Sequence, residues 1–207
     1  MGEPAVRLLD DDAVVLRRAG VRFPVELRPI RFDPDDLVTW PDAEGRLEWV
    51  DRRLLYMPPC ADTQQDVAVD VVHMLRTWSE GQTGFVVGGN EAGMKLGDDI
   101  RAADAAVWRR ADVGASTGRL RRAPPLLAVE VAGQDEDEGV LREKARWYLQ
   151  HGVGVVWIVL PEARQVLVAT AAGESRCERG TCLPEVPSLP GLAAPVDRVF
   201  AQIDLPT

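Results

Sequence analysis

The sequence has no apolar run approaching ~20 residues, so no segment reads as a membrane-spanning helix. Its opening, MGEPAVRLLDDD, lacks a basic stretch followed by a long apolar one, and a secretory signal is not expected. Cysteine is scarce. Cys60, Cys177 and Cys182 are an odd, small set, which argues against a disulfide scaffold and suits a reducing, cytoplasmic setting. Cys177 and Cys182 stand in CERGTC with no second pair. With only His73 and His151 to join them, they read as ordinary thiols near a turn. Lysine is nearly missing: Lys95 and Lys144 are the only two, and 22 of the 24 basic residues are arginine. The net charge of −9 argues against attraction of the whole surface to nucleic acid or anionic membrane, but leaves room for a local basic cleft.

What is present is ordinary globular composition, 46% hydrophobic and 28% charged, which excludes a disordered chain, a collagen and a coiled coil. A chain of 207 residues can form one domain with a core that needs no disulfide or metal staple. Residues 1–31 read as an N-terminal extension in which VVLRRAGVRFPVELRPI holds one or two short strands of a β-hairpin, interrupted by Pro24 and Pro29. Residues 32–207 are read as a single domain. DPDDLVTW predicts a short helix with Asp33 as N-cap and Pro34 at the first helical position. LEWV and LLYM flank DRR as a hairpin. Thr63 to Ser79 predicts a long helix, with Val67, Val71, Leu75 and Trp78 on one stripe. GFVVGG, IRAADAAVW and LLAVEVA read as strands, the last two covered on both faces. A second helix spans Glu138 to His151 and ends at Gly152. VGVVWIVL and QVLVATA follow as paired strands. The tail carries a short amphipathic stretch near Val196–Gln202. Helix, three strands, helix, strand is the order of an α/β (α+β) fold, a mixed central sheet with helices on both sides.

Ionisable residues stand in apolar settings. Glu130 interrupts LLAVEVA, and Asp104 sits inside AADAAV. A buried carboxylate without a partner costs several kcal/mol, so each needs a counter-charge or a metal, unless it ends its strand in solvent or pairs with an arginine. On the second helix Lys144 falls inside the apolar arc of Val140, Leu141, Ala145, Trp147 and Tyr148. The bland reading is a stem that packs while the ammonium escapes to water. Against it, a chain that uses arginine elsewhere has kept a compact point charge here. Two strand carboxylates and an inward lysine suit Mg²⁺ (or Mn²⁺) and a phosphate that gains charge during reaction. Glu48 in LEWV is a fourth candidate; alone it reads as an exposed strand glutamate. Arg119, Arg121 and Arg122 are a solvated loop or a contact to phosphates.

These residues and their order resemble the Uma-two family of restriction-endonuclease-like proteins, within the PD-(D/E)xK nuclease superfamily. The resemblance runs from about Phe32 to Ala201. RLEWVDRRLLYMPP is similar to the family's opening hairpin with its Glu, IRAADAAVW to its Asp strand and APPLLAVEVAG to its Glu strand. EKARWYLQHGVGVVWIVLP is similar to its Lys, Tyr, Gly-Val and Trp segment, and PSLPGLAAPVDRVF to its closing segment. The resemblance implies an active site of Glu48, Asp104, Glu130 and Lys144. Asp104 and Glu130 would hold the metal, aided by the backbone carbonyl next to Glu130. The superfamily's lysine two residues after the Glu is Ala132 here, and Lys144 supplies it from the next helix. Ala103 stands where the family usually has Pro, Thr63 where it often has His, and Val140 where it has Asp.

Two functions follow as expectations. One is a metal-dependent nuclease hydrolysing phosphodiester bonds in nucleic acid, DNA first. The other is a catalytically inactive module of the same fold, serving dimerisation or nucleic-acid interaction. No membrane partner is expected, and a homodimer is left open.

Overall fold

The computed structural model describes residues 23–134 and 136–204, and the chain divides into two units. Among the described residues, one comprises 23–59 together with Gly97–Ala102; the other comprises Cys60–Leu96, 103–134 and 136–204.

In the first unit the hairpin appears as expected, β2 (Arg46–Val50) with β3 (Arg53–Met57). Asp51 and Arg52 turn it with φ of 50° and 62°, the positive values that two-residue hairpin loops favour. β1 (Val25–Leu27) pairs antiparallel with β3. The expected N-terminal hairpin is thus, among the described residues, a single strand added to a later hairpin. The remainder of that expectation, residues 1–22, lies outside the described residues. The short helix at DPDDLVTW is one 3-10 turn, Leu37–Thr39, capped by Asp36 rather than Asp33. Pro41 explains its brevity: a residue before proline is pushed to extended geometry, and Trp40 lies at φ −70°, ψ 139°. Leu27, Leu54 and Tyr56 form this unit's small core, packed by Phe32, Trp40 and Trp49.

The second unit holds α1 (Asp62–Glu80), β4 (Phe85–Leu96), most of β5 (Asp99–Arg109), α2 (Arg110–Val113) and β6 (Leu127–Val131). It continues with α3 (Glu138–Gln150), β7 (Val155–Leu160), β8 (Gln165–Thr170), β9 (Gly173–Glu178) and α4 (Val196–Val199). The first residues of β5 belong to the first unit, where Ile100 pairs with Trp49 of β2. β4 pairs with β5, β5 with β6 antiparallel, β6 with β7 parallel, and β7, β8 and β9 antiparallel in turn. This is the mixed α/β sheet flanked by helices that the pattern predicts. The parallel step requires a crossover, and α3 is that crossover.

Alternation divides the sheet's two faces. Leu127, Val129 and Val131 pack with Val67, Val71 and Leu75 of α1. Ala128, Val156 and Ile158 pack with Leu141, Ala145 and Tyr148 of α3. Glu130 alternates with Val129 and Val131, which directs it to the α3 face. Two strands exceed expectation: β4 runs on through Asn90–Leu96, and β9 forms in a stretch for which the sequence predicts no strand.

Candidate active site

All five residues of β6 are buried, and Glu130 is 2% exposed. A carboxylate so placed must be hydrogen-bonded and offset by charge. α3 meets both needs. Asp137 caps its first turn by accepting from Gly139 N at 2.6 Å, and Gly152, at φ 88°, closes its end. Lys144 and Tyr148 are four apart, hence on one helix face. The Lys144 ammonium donates to Glu130 Oε2 at 2.7 Å, and the Tyr148 hydroxyl donates to Oε1 at 2.7 Å. Lys144 is 9% exposed and Tyr148 is fully buried. The ammonium therefore stays inside on its partner instead of escaping to water. Val140, placed beside it in the predicted apolar arc, is an exposed residue: the first turn of α3 is uncovered on that side.

Asp104 joins the same end of β6. The main-chain ladder between β5 and β6 runs from Val107↔Leu127 to Ala105↔Val129. One residue further on, where Asp104 would face Glu130, a side chain continues the connection: Val131 N donates to Asp104 Oδ2 at 2.7 Å. Asp104 is half-buried. The Val131 carbonyl, the backbone oxygen next to Glu130, accepts from Gln64 Nε2 at 2.9 Å. Asp104, Glu130, Lys144, Tyr148 and Gln64 thus gather around two residues of one strand.

Glu48 belongs to the first unit. It is 1% exposed, against the expectation of an exposed strand residue. Arg101 Nη1 lies 2.8 Å from Oε2, Ala102 N donates to Oε1 at 3.2 Å, and Arg46 Nε is 3.7 Å away. It is a buried acid paired with arginines, and it fastens β2 to β5 two residues before Asp104 in the chain.

The arginine cluster lies at a surface cavity of about 530 Å³ in the second unit, which Arg119, Arg121 and Arg122 all line. Arg119 and Arg122 are exposed. Arg121 is half-buried, with its guanidinium carbon 4.8 Å from the centroid of the Trp108 ring.

Three residues near these features were missed in the sequence. Tyr148 was read as core, although a buried hydroxyl needs a partner. Gln64 carried no signal beyond its place in the first turn of α1. Lys95, 8% exposed in β4, carries the same signal as Lys144, rarity in an arginine-rich chain.

Mg²⁺ takes hard oxygen donors, commonly one or two carboxylates with water and phosphate oxygens completing the shell. Asp104 and Glu130 fit that donor chemistry, and the Val131 carbonyl keeps a second lone pair beside its bond from Gln64. Among the described residues no group of three or more His, Cys, Asp or Glu could hold a metal ion. An ion at this place would therefore rest on two carboxylates. Cys60, Cys177 and Cys182 are unpaired thiols. Among the described residues no helix is long and apolar enough to cross a membrane.

Comparison with known proteins adds two findings. The model of the Uma2 family, described as "Putative restriction endonuclease", matches residues 34–197. A crystal structure described as a putative nuclease belonging to DUF820, from Anabaena variabilis ATCC 29413, superposes with a TM-score of 0.71 at 17% sequence identity. The match covers 84% of this chain and 98% of that one. A search of curated proteins gives no match.

Proposed function

The chain belongs to the Uma2 family, and from that premise we propose that it is a metal-dependent nuclease whose active site is built on Asp104, Glu130 and Lys144. The observation that carries the reading is the buried Glu130 held between Lys144 and Tyr148, with Asp104 bonded to the next residue of the same strand.

Asp104 and Glu130 would hold Mg²⁺ or Mn²⁺. When bound, such an ion polarises a phosphate oxygen and makes a water more acidic. The chain's own groups supply the rest. Lys144 lies 2.7 Å from Glu130, where its side chain can stabilise an oxygen that gains negative charge as the phosphodiester is attacked. Tyr148 fixes Glu130 from the other oxygen, so the carboxylate does not rotate. Gln64 and Asp104 grip the Val131 carbonyl and N–H and set the strand end on which both depend. Glu48 positions β5 through Ala102 N. Arg119, Arg121 and Arg122 would contact the nucleic acid, supplying the local positive charge that the chain as a whole lacks.

The test is a cleavage screen on single-stranded, duplex and branched DNA and RNA with Mg²⁺ or Mn²⁺. Wild type should cut at least one substrate. Asp104→Ala and Glu130→Ala should abolish cleavage, together with any rise in thermal stability on metal addition. Cutting that survives in both variants places the chemistry elsewhere. A folded wild type that binds but cuts nothing favours the non-catalytic module.

A further inference from the structure

The cavity beside the arginine cluster is built. Trp108 is almost fully buried, and its indole N–H donates to the Ala123 carbonyl at 2.9 Å. The segment carrying Arg121 is tied to β4 by two main-chain bonds, Lys95 N to Arg121 O at 2.8 Å and Arg121 N to Gly93 O at 3.4 Å. Arg121 is therefore fixed at its backbone and stacked at its guanidinium. Gly88 is required here: a Cβ would stand 2.8 Å from the Trp108 ring, so any side chain would displace the platform on which Arg121 rests. The lining is mixed in sign, for Glu91 and Asp112 join the three arginines. Glu91 is held at φ 59°, a conformation that costs a non-glycine residue energy and recurs at ligand clamps.

We propose that this cavity is a nucleotide pocket, taking one nucleotide of a nucleic-acid strand or a free nucleoside monophosphate. A volume of about 530 Å³ lies within the usual range for small-ligand sites. The phosphate meets Arg119 and Arg122. The base stacks on the guanidinium of Arg121, whose other face lies on Trp108, as bases stack on arginine planes in single-strand recognition. Glu91 and Asp112 accept from amino and imino groups on the base edge. Inorganic phosphate would use only the arginines and leave the two carboxylates repelling it, and an apolar ligand would offer a polar group to none of the five charged residues. The proposal rests on the nuclease reading for its biological setting, but its test does not.

Calorimetric titration of the full chain, without metal and at low salt, with dGMP, dTMP, deoxyguanosine and inorganic phosphate examines it. One site per chain should bind dGMP, with phosphate and deoxyguanosine each weaker by about tenfold or more, since each keeps one half of the contacts. Arg121→Ala should weaken dGMP by about the same factor through lost stacking. Arg119→Ala, at an exposed position that leaves the fold intact, should reduce the advantage of dGMP over deoxyguanosine. Asp104→Ala should bind dGMP like wild type. That last result separates the two claims, because a dead or absent nuclease leaves the pocket unaffected. No nucleotide binding, phosphate binding as tight as dGMP, or affinity unchanged in both arginine variants overturns the proposal.

Discussion

Lys144 carries the counter-charge of a carboxylate that is 2% exposed, so its removal acts first on its partner. Lys144→Met keeps the apolar stem, yet it should lower stability by about 3–5 kcal/mol, the usual cost of stranding one member of a buried ion pair. Adding Glu130→Gln should recover most of that loss. The amide is neutral, and its oxygen can still accept from Tyr148. Urea unfolding of both single variants and the double variant measures the coupling. A double variant as unstable as the sum of the singles would assign the loss to packing. Single-turnover cleavage should fall about a hundredfold or more in Lys144→Met, the scale of one lost transition-state contact. Lys144→Arg should also fail, because a planar fork does not fit where a compact ammonium meets one carboxylate oxygen.

Among the elements, α3 and β9 are joined by a surface network. Arg142 reaches Glu174 through Nη2 at 2.8 Å and also contacts Glu138, and Arg176 meets Glu138 at 2.7 Å. The hydrogen bonds from Arg142, reinforced by its charge and that of Arg176, hold the Glu174 carboxyl below the usual carboxylate range despite some burial. A depressed acid stabilises the fold above its unfolded pKa, about 4.3, and loses that contribution as pH falls through the lower folded value. Glu174→Gln should therefore cost up to about 1 kcal/mol at neutral pH, a small figure because the pair is about one-third exposed. The difference should shrink as pH falls below about 4.3 and vanish once the medium is more acidic than the lower folded value. Thermal unfolding of both proteins across that window checks it, and a gap that persists in acid would mean the network acts through packing. The same region marks where sequence reading stops. β9 is GESRCE, almost wholly exposed, and it pairs with β8 through backbone bonds that leave no hydrophobic period to read. β4 hides its second half behind a polar break at Asn90 and a left-handed Glu91. β6 was legible because one charge interrupts an apolar run, and α3 because its apolar face carries a single charge, Lys144. Glu48 was not, because what buries it, Arg101, lies 53 residues away on another strand.

At the scale of the whole molecule, a net charge of −9 coexists with a cavity where three arginines meet two acids, so recognition of an anion would be local and salt-sensitive. The chain's use of lysine has a separate consequence. Both lysines are among its buried charged residues, at 8% and 9% exposure. An acylating reagent that is indifferent to guanidinium therefore finds no exposed lysine amine on the folded protein. Limited N-hydroxysuccinimide acetylation followed by peptide mass mapping should leave Lys95 and Lys144 largely unmodified in the native state and label both in denaturant. Label at Lys144 without global unfolding would mean that α3 lifts from β6, since its ammonium cannot reach the reagent while it lies 2.7 Å from Glu130. Each lysine thus serves as a built-in reporter, one on β4 beside the arginine cluster and one at the carboxylate site. The rate at which each acquires an acetyl group measures how often that part of the molecule opens.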